Sequence, residues 1–391
     1  MAAPVQSSAT TSDPVAPKTL IVDLSQKYGG STSRVLSLMT RLPKESIALA
    51  GLESAAVTRE ALQLGLPVRV VGQGKADPLI VRNLMRVIRG EGFQVLDSQN
   101  IQSKFYASIA STLTGTALVS TINSWYANEH GKSSTKGQIY TALELATNWN
   151  LAVYICVSEK DRQALLRAGI HENKIELIYN AVEINSDTNA DKDWLRRKLN
   201  LKSHSFLCTA VGRLVRIKGF DILIEAAQQA CAEIPELIFV IIGEGEARDE
   251  LNAQIQRAGL HERVILTGHF DRPSVMKALQ ASDMFVMPSR YEGTPIALLE
   301  AAALGRAIVA SNAGGIPEMV TNGEHALLAP PENPQALANE ILKICTDSAL
   351  AKRLGHNAQK RVREKFTLDI QASATQRAYQ KAWLMKRGLE K

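Results

Sequence analysis

Two glutamates, Glu292 and Glu300, bracket the run Gly293-Thr294-Pro295-Ile296. Thr294 is a good N-cap and Pro295 a good first helical residue, so a helix is expected to begin there, with Gly293 letting a ligand approach the backbone. A helix N-terminus offers unpaired N–H groups and the positive end of its dipole, which suits a phosphate. Glu300 then lies about 7–8 Å along the axis at 1.5 Å per residue, while Glu292 stays in the preceding loop. A carboxylate repels a phosphate but accepts hydrogen bonds from pairs of sugar hydroxyls. The pattern therefore suits a sugar at one end, a diphosphate in the middle and a ribose at the other. Most charged residues are simply exposed, so the plainer alternative is a solvated loop glutamate and a capping or salt-bridge partner.

Arg213 and Lys218, in Val211-Gly212-Arg213-Leu214 and Lys218-Gly219-Phe220, stand just after another apolar run. Two cations at a strand end neutralise a diphosphate leaving group. A pair of surface cations is the competing reading. Gly243-Glu244-Gly245 also ends a strand, but glycine punctuates ordinary turns as well, and the pair counts only by its place in the order.

The elements that must position these residues alternate short apolar runs with amphipathic ones, the signature of parallel sheets flanked by helices. Strands are expected at 19–24, 46–50, 67–71, 94–97, 117–121, 153–157 and 175–178, and again at 206–211, 237–242, 264–267, 284–287, 307–310 and 326–328. Between the two series, 184–204 is polar and carries only a short charged helix. This divides the chain into a tail (1–18), a first Rossmann-like domain (19–183), a linker (184–204), a second Rossmann-like domain (205–365) and a terminal helix (366–391) that returns to the first domain. Open parallel sheets bind ligands beyond the carboxyl ends of their strands, so two facing sheets make an interdomain cleft.

Composition bounds the rest. The 391 residues exceed one ordinary core, and the apolar and charged fractions are those of a globular protein. The tail is rich in Ala, Ser, Thr and Pro, reads as disordered and has no signal-peptide core; no run approaches the ~20 apolar residues of a membrane span. Cys156, Cys208, Cys231 and Cys345 form no metal-binding spacing and read as buried free thiols of a reducing compartment. A net charge of +6 suits an anionic substrate or membrane face.

Taken together, the segments resemble the retaining glycosyltransferases of GT-B fold, family 4 (glycosyl transferases group 1). The resemblance rests on Gly212-Arg213-Leu214 with Lys218-Gly219, on Gly243-Glu244-Gly245, and on the Glu292…Glu300 spacing. Ser311-Asn312-Ala313-Gly314-Gly315-Ile316-Pro317-Glu318, Asn180-Ala181-Val182-Glu183 and Tyr28-Gly29-Gly30-Ser31 extend it. It implies that Arg213 and Lys218 hold the donor diphosphate, Glu300 the ribose and Glu292 the transferred sugar. The amides from Gly293 to Ile296, including the Thr294-Pro295 turn, would serve phosphate and sugar. Gly30 would let a first-domain loop come down on the phosphates, and the base would lie near Gly243, Gly245, His269 and Phe270.

Many family members carry histidines at two first-domain strand ends. Here those positions read Asp97-Ser98-Gln99-Asn100 and Thr121-Ile122-Asn123-Ser124-Trp125-Tyr126. Gln99, Asn100 and Asn123 are the acceptor-side candidates; an amide such as Asn123 can exchange hydrogen bonds with a sugar hydroxyl but cannot be a general base. Trp125 and Tyr126 read either as a stacking platform or as packing, and His130 as a cleft residue or an exposed loop histidine.

The expectation is a hexosyl transfer with retention, without cofactor or metal, from a UDP- or, next in order, GDP-sugar to a sugar or lipid-linked sugar. The implied setting is surface polysaccharide or glycolipid synthesis in the cytoplasm. No nucleic-acid partner is expected. Arg82, Arg86 and Arg89 among apolar neighbours read as an ordinary amphipathic helix or as contact with an anionic membrane. The competing functions are a nucleotide-sugar epimerase on the same fold and an inactive donor-binding subunit.

Overall fold

The computed structural model describes residues 16–26, 29–125, 135–184 and 191–389. Its first domain contains β1 (Thr19–Val22), α1 (Gly30–Met39), β2 (Ile47–Leu52), α2 (Ala56–Gln63), β3 (Val68–Gly72), α3 (Ile80–Glu91), β4 (Val95–Ser98), α4 (Ile101–Thr114), β5 (Ala117–Ile122), α5 (Thr135–Ala146), β6 (Leu151–Cys156), α6 (Glu159–Arg167) and β7 (Ile175–Leu177). These strands form a parallel sheet in the order β3-β2-β1-β4-β5-β6-β7. β2, β5 and β6 are buried at every position, as strands covered by helices on both faces must be.

The second domain contains α7 (Trp194–Lys198), β8 (Phe206–Val211), α8 (Phe220–Glu233), β9 (Leu237–Ile242), α9 (Arg248–Arg257), β10 (Val264–Gly268), α10 (Arg272–Ala281), β11 (Met284–Met287), α11 (Ile296–Ala303), β12 (Ala307–Ser311), α12 (Ile316–Met319), β13 (Leu327–Ala329), α13 (Pro334–Thr346) and α14 (Ser348–Lys365). Its parallel sheet runs β10-β9-β8-β11-β12-β13. All thirteen strands lie within one or two residues of the expected ends. Leu195 of α7 is fully buried against Leu207, Ile238 and Val240, so this part of the segment between the domains packs as part of the second.

The last helix, α15 (Leu368–Lys386), lies on the first sheet, with Ala372, Ala378, Tyr379 and Ala382 in that core. Tyr379 donates to the buried Asp97 at 2.6 Å, and Lys381 pairs with Glu176 at 2.5 Å. Just before it, Val182 N donates to Phe366 O at 3.0 Å, and Val182 bridges to Thr367. A second polar anchor lies inside the first domain. Lys104 of α4, fully buried, donates to Glu144 (2.6 Å), Asn148 (2.5 Å) and Tyr154 (2.7 Å).

The four cysteines are free, and burial pushes Cys231 up to about 11 and Cys345 up to about 12. Both stay neutral thiols at ordinary pH.

Candidate active site

β11 ends at Met287, and the loop 288–295 leads into α11. Arg290 braces that loop. Its guanidinium makes a two-pronged pair with Asp221 of α8 (2.8 and 2.7 Å) and reaches the Arg216 carbonyl (2.6 Å) and Glu332 (2.9 Å). Its own N–H donates to Ile217 O at 2.8 Å. Burial alone would raise the Asp221 carboxyl, but Arg290 holds it below its ordinary value. The 3-10 turn Arg216–Lys218 is thereby fixed against the loop, and Lys218 Nζ lies 2.6 and 2.9 Å from the two Glu292 oxygens. Ser289 Oγ also donates to Glu292, at 2.7 Å. The two groups expected at different parts of the donor thus pair directly here.

The helix start differs from expectation. Pro295 is the N-cap and Ile296 the first helical residue. The Thr294 hydroxyl does not cap its own helix; it donates across the cleft to the Val157 carbonyl. Pro295 has no N–H, so the backbone donors at this end come from Gly293, Thr294 and Ile296.

Glu300 is only 7% exposed. Burial raises its carboxyl, and the opposing influence is Arg272, whose Nη2 lies 3.2 Å from Glu300 Oε1. Arg272 Nη1 also donates to Ser33 Oγ of α1 at 2.5 Å. Glu60 of α2 faces Arg272 and His269, and burial raises it too.

Arg213 is exposed at the end of β8. Gly243 and Gly245 have packing reasons for being glycine. A Cβ there would sit 1.9 Å from Gly212 O and 2.2 Å from Leu214 O, so the two strand ends touch backbone to backbone. His269 is exposed. Phe270 meets Trp194 edge-on at 6.1 Å and lies under Lys198, so the second domain's own α7 covers part of its ring. Gly30 opens α1, and among the described residues a Cβ there would meet nothing within 4 Å.

On the first-domain side, a Cβ at Gly293 would lie 2.5 Å from the Asn123 carbonyl and 2.9 Å from Val157 Cγ2. The end of β5 therefore rests on the Glu292…Glu300 loop. Asn123 Nδ2 donates to Gln99 O at 3.3 Å, and its Oδ1 has no hydrogen-bond partner among the described residues. Gln99 is 3% exposed, its amide facing Asp97 without a bond of ordinary geometry. Asn100 is occupied structurally: it caps α4 through Ser103 N and donates to Asp23 and Ser25. Trp125, 4% exposed in the first core, is a packing residue and no stacking platform. Tyr28, Tyr126 and His130 lie outside the described residues.

Sequence reasoning missed Arg272, Ser33, Tyr291 and Asp161. Tyr291 donates to Asp161 across the cleft at 2.8 Å, beside Asn180 to Thr294 O (2.8 Å) and Glu159 N to Glu318 (2.8 Å). The motifs did flag Asn180 and Glu318; nothing local marks the others. Among the described residues, no group of three His, Cys, Asp or Glu is placed to hold a metal, and no helix is long and apolar enough to cross a membrane.

Comparison with known proteins agrees with this architecture. Residues 191–361 match the family model for glycosyl transferases group 1, and residues 28–186 that for glycosyltransferase family 4. The UDP-Gal:alpha-D-GlcNAc-diphosphoundecaprenol alpha-1,3-galactosyltransferase of Escherichia coli is 29% identical over 274 residues, 68% of this chain and 70% of that one. The alpha-D-kanosaminyltransferase of Streptomyces kanamyceticus is 30% identical over 183 residues, so the match spans about half of each chain (47% of both). Among solved structures, Anabaena Alr3699/HepE in complex with UDP-glucose superposes with a TM-score of 0.81 at 25% identity, covering 91% of this chain and 97% of that one. With two parallel Rossmann-like sheets meeting at their strand ends and a family match on each half, the chain belongs to the GT-B glycosyltransferases of group 1, family 4.

Proposed function

We propose that the protein transfers a hexosyl group with retention from a UDP-sugar to a hydroxyl of a sugar or lipid-linked sugar acceptor, without a metal. The observation that carries the reading is the convergence of Lys218, Glu292 and Glu300 around the start of α11, directly against the end of β5. Donor binding moves Lys218 from Glu292 onto the diphosphate beside Arg213. The freed Glu292 accepts hydrogen bonds from the transferred sugar, and Glu300 accepts them from the ribose. The bond from the anomeric carbon to the β-phosphate oxygen breaks as the acceptor oxygen bonds the same face. The departing phosphate oxygen takes the acceptor proton, which fits a first domain with an amide at Asn123 in place of a base. The two cations do the charge work otherwise given to a metal.

The E. coli relative's name specifies UDP-galactose and a diphosphoundecaprenol-linked acceptor, and the Anabaena structure holds UDP-glucose. Both support a uridine donor, and the first supports a lipid-linked acceptor and so a role in surface glycan assembly. The exposed Arg82, Arg86 and Arg89 on α3, with Leu79 47% exposed beside them, suit docking on an anionic membrane face. The test is a thermal-shift panel of UDP, GDP, ADP and their sugars with magnesium or EDTA, followed by NMR of the product anomer. A UDP-selective shift unchanged by EDTA and a retained anomer support the proposal. An inverted anomer or a metal-dependent shift removes it, and binding without turnover reassigns the chain to a donor-binding subunit.

A further inference from the structure

Arg272 is a cation at the first position of α10, where the positive end of the helix dipole disfavours it. The helix gains nothing from the charge; the partners lie elsewhere. One nitrogen faces the buried Glu300 of its own domain at 3.2 Å, the other the buried Ser33 hydroxyl of the opposite domain at 2.5 Å. Glu60 of α2 also faces the guanidinium from the first domain, beside His269, which in turn neighbours Asp271.

We propose that Arg272 is a positioning residue that couples ribose binding to closure of the cleft, holding Glu300 for the sugar diol with one nitrogen and α1, through Ser33, with the other. This rests on the reading of Glu300 as the ribose ligand. A carboxylate accepts from two neighbouring hydroxyls only when ionised, and burial works against ionisation at Glu300. Arg272 opposes that, and its planar fork leaves a second N–H direction for Ser33. Because Ser33 lies one turn into α1, three residues after Gly30, a ribose that fixes Glu300 and Arg272 also fixes the start of α1, the segment that the resemblance brings to the phosphates. Displacing Arg272 would loosen both at once.

The experiment measures calorimetric affinities of UDP and GDP and of their 2′-deoxy and 3′-deoxy counterparts between pH 6 and pH 8. The proteins are the wild type, Glu300→Gln, Arg272→Met, Arg272→Lys and Ser33→Ala, with kcat and KM for the donor that binds. If Glu300 takes the ribose, the wild type prefers ribo over deoxy by about 10- to 100-fold and Glu300→Gln loses that preference. No preference in the wild type sinks the ribose reading itself. Given the preference, Arg272→Met is expected to weaken it, more at pH 6 than at pH 8, with partial rescue by Arg272→Lys. The ratio cancels the nucleotide's own phosphate titration. Ser33→Ala is expected to keep the ratio and lower kcat. A full, pH-independent preference in Arg272→Met, or an unchanged kcat in Ser33→Ala, overturns the coupling while leaving the ribose reading intact.

Discussion

Lys218 Nζ lies 2.6 Å from Glu292 Oε1 and 2.9 Å from Oε2, so a cation and a carboxylate that would serve different parts of a nucleotide-sugar neutralise each other here. The two substitutions of this pair should separate. If Lys218 holds the diphosphate as proposed, Lys218→Ala should weaken UDP binding by about 1.5–3 kcal/mol, roughly 10- to 150-fold in Kd. Glu292→Gln removes a competitor for Lys218 and should leave UDP binding equal or tighter. It should nevertheless lower kcat at least about tenfold, because the proposed interaction with the transferred sugar would be gone. Calorimetry with UDP alongside turnover assays checks both, and equal losses of UDP affinity in the two variants would contradict the pairing argument.

Gly293→Ala should act on the meeting of the domains more than on the donor site. The added methyl would sit 2.5 Å from the Asn123 carbonyl. Overpacking costs about 1–3 kcal/mol. Applied to the closed arrangement alone, that lowers kcat by roughly 5- to 150-fold, while UDP affinity should change little. A parallel loss of UDP affinity would show that the methyl disturbs the second domain itself.

Tyr379→Phe tests how α15 is held. The lost bond to the buried Asp97 should cost about 1.5–3 kcal/mol in urea unfolding of the first domain. Arg34, wholly buried near both, then becomes the main charge partner of Asp97.

Inside the first domain, Glu144→Leu would strand Lys104 in the core. Removing one member of a buried pair costs about 3–5 kcal/mol, whereas replacing both by apolar groups is often neutral. The double variant Lys104→Met/Glu144→Leu should therefore be more stable than Glu144→Leu alone by thermal or urea melting.

Strands were legible because parallel sheets covered on both faces leave near-continuous apolar runs, such as Leu237–Ile242, that few other structures require. The Glu292…Glu300 loop was legible as a strand-to-helix turn between two carboxylates, but its helix start was not. Thr-Pro is a good local capping pair, yet the Thr294 hydroxyl is claimed by Val157, 137 positions away. Asn100 is occupied on both sides of its amide, its oxygen by the local cap on Ser103 N and its nitrogen by Asp23 and Ser25. Arg272 sits in an ordinary Asp-Arg-Pro helix start, and only the fold brings it to Ser33, 239 positions earlier. Local pattern reports what a residue offers its neighbours in the chain; the partners across the cleft are set by topology.

The chain passes between the domains near Val182 and again near Phe366 and Thr367, and these two passages are bonded side by side. Two passages bonded in this way would act as a double hinge, permitting rotation about one axis and resisting the twist and sliding that a single tether would allow. Cutting the chain before α15 would therefore do more than uncover part of the first core. It would turn a swing door into a swivel, and the arrival of Ser33 at Arg272 would become a search through orientations.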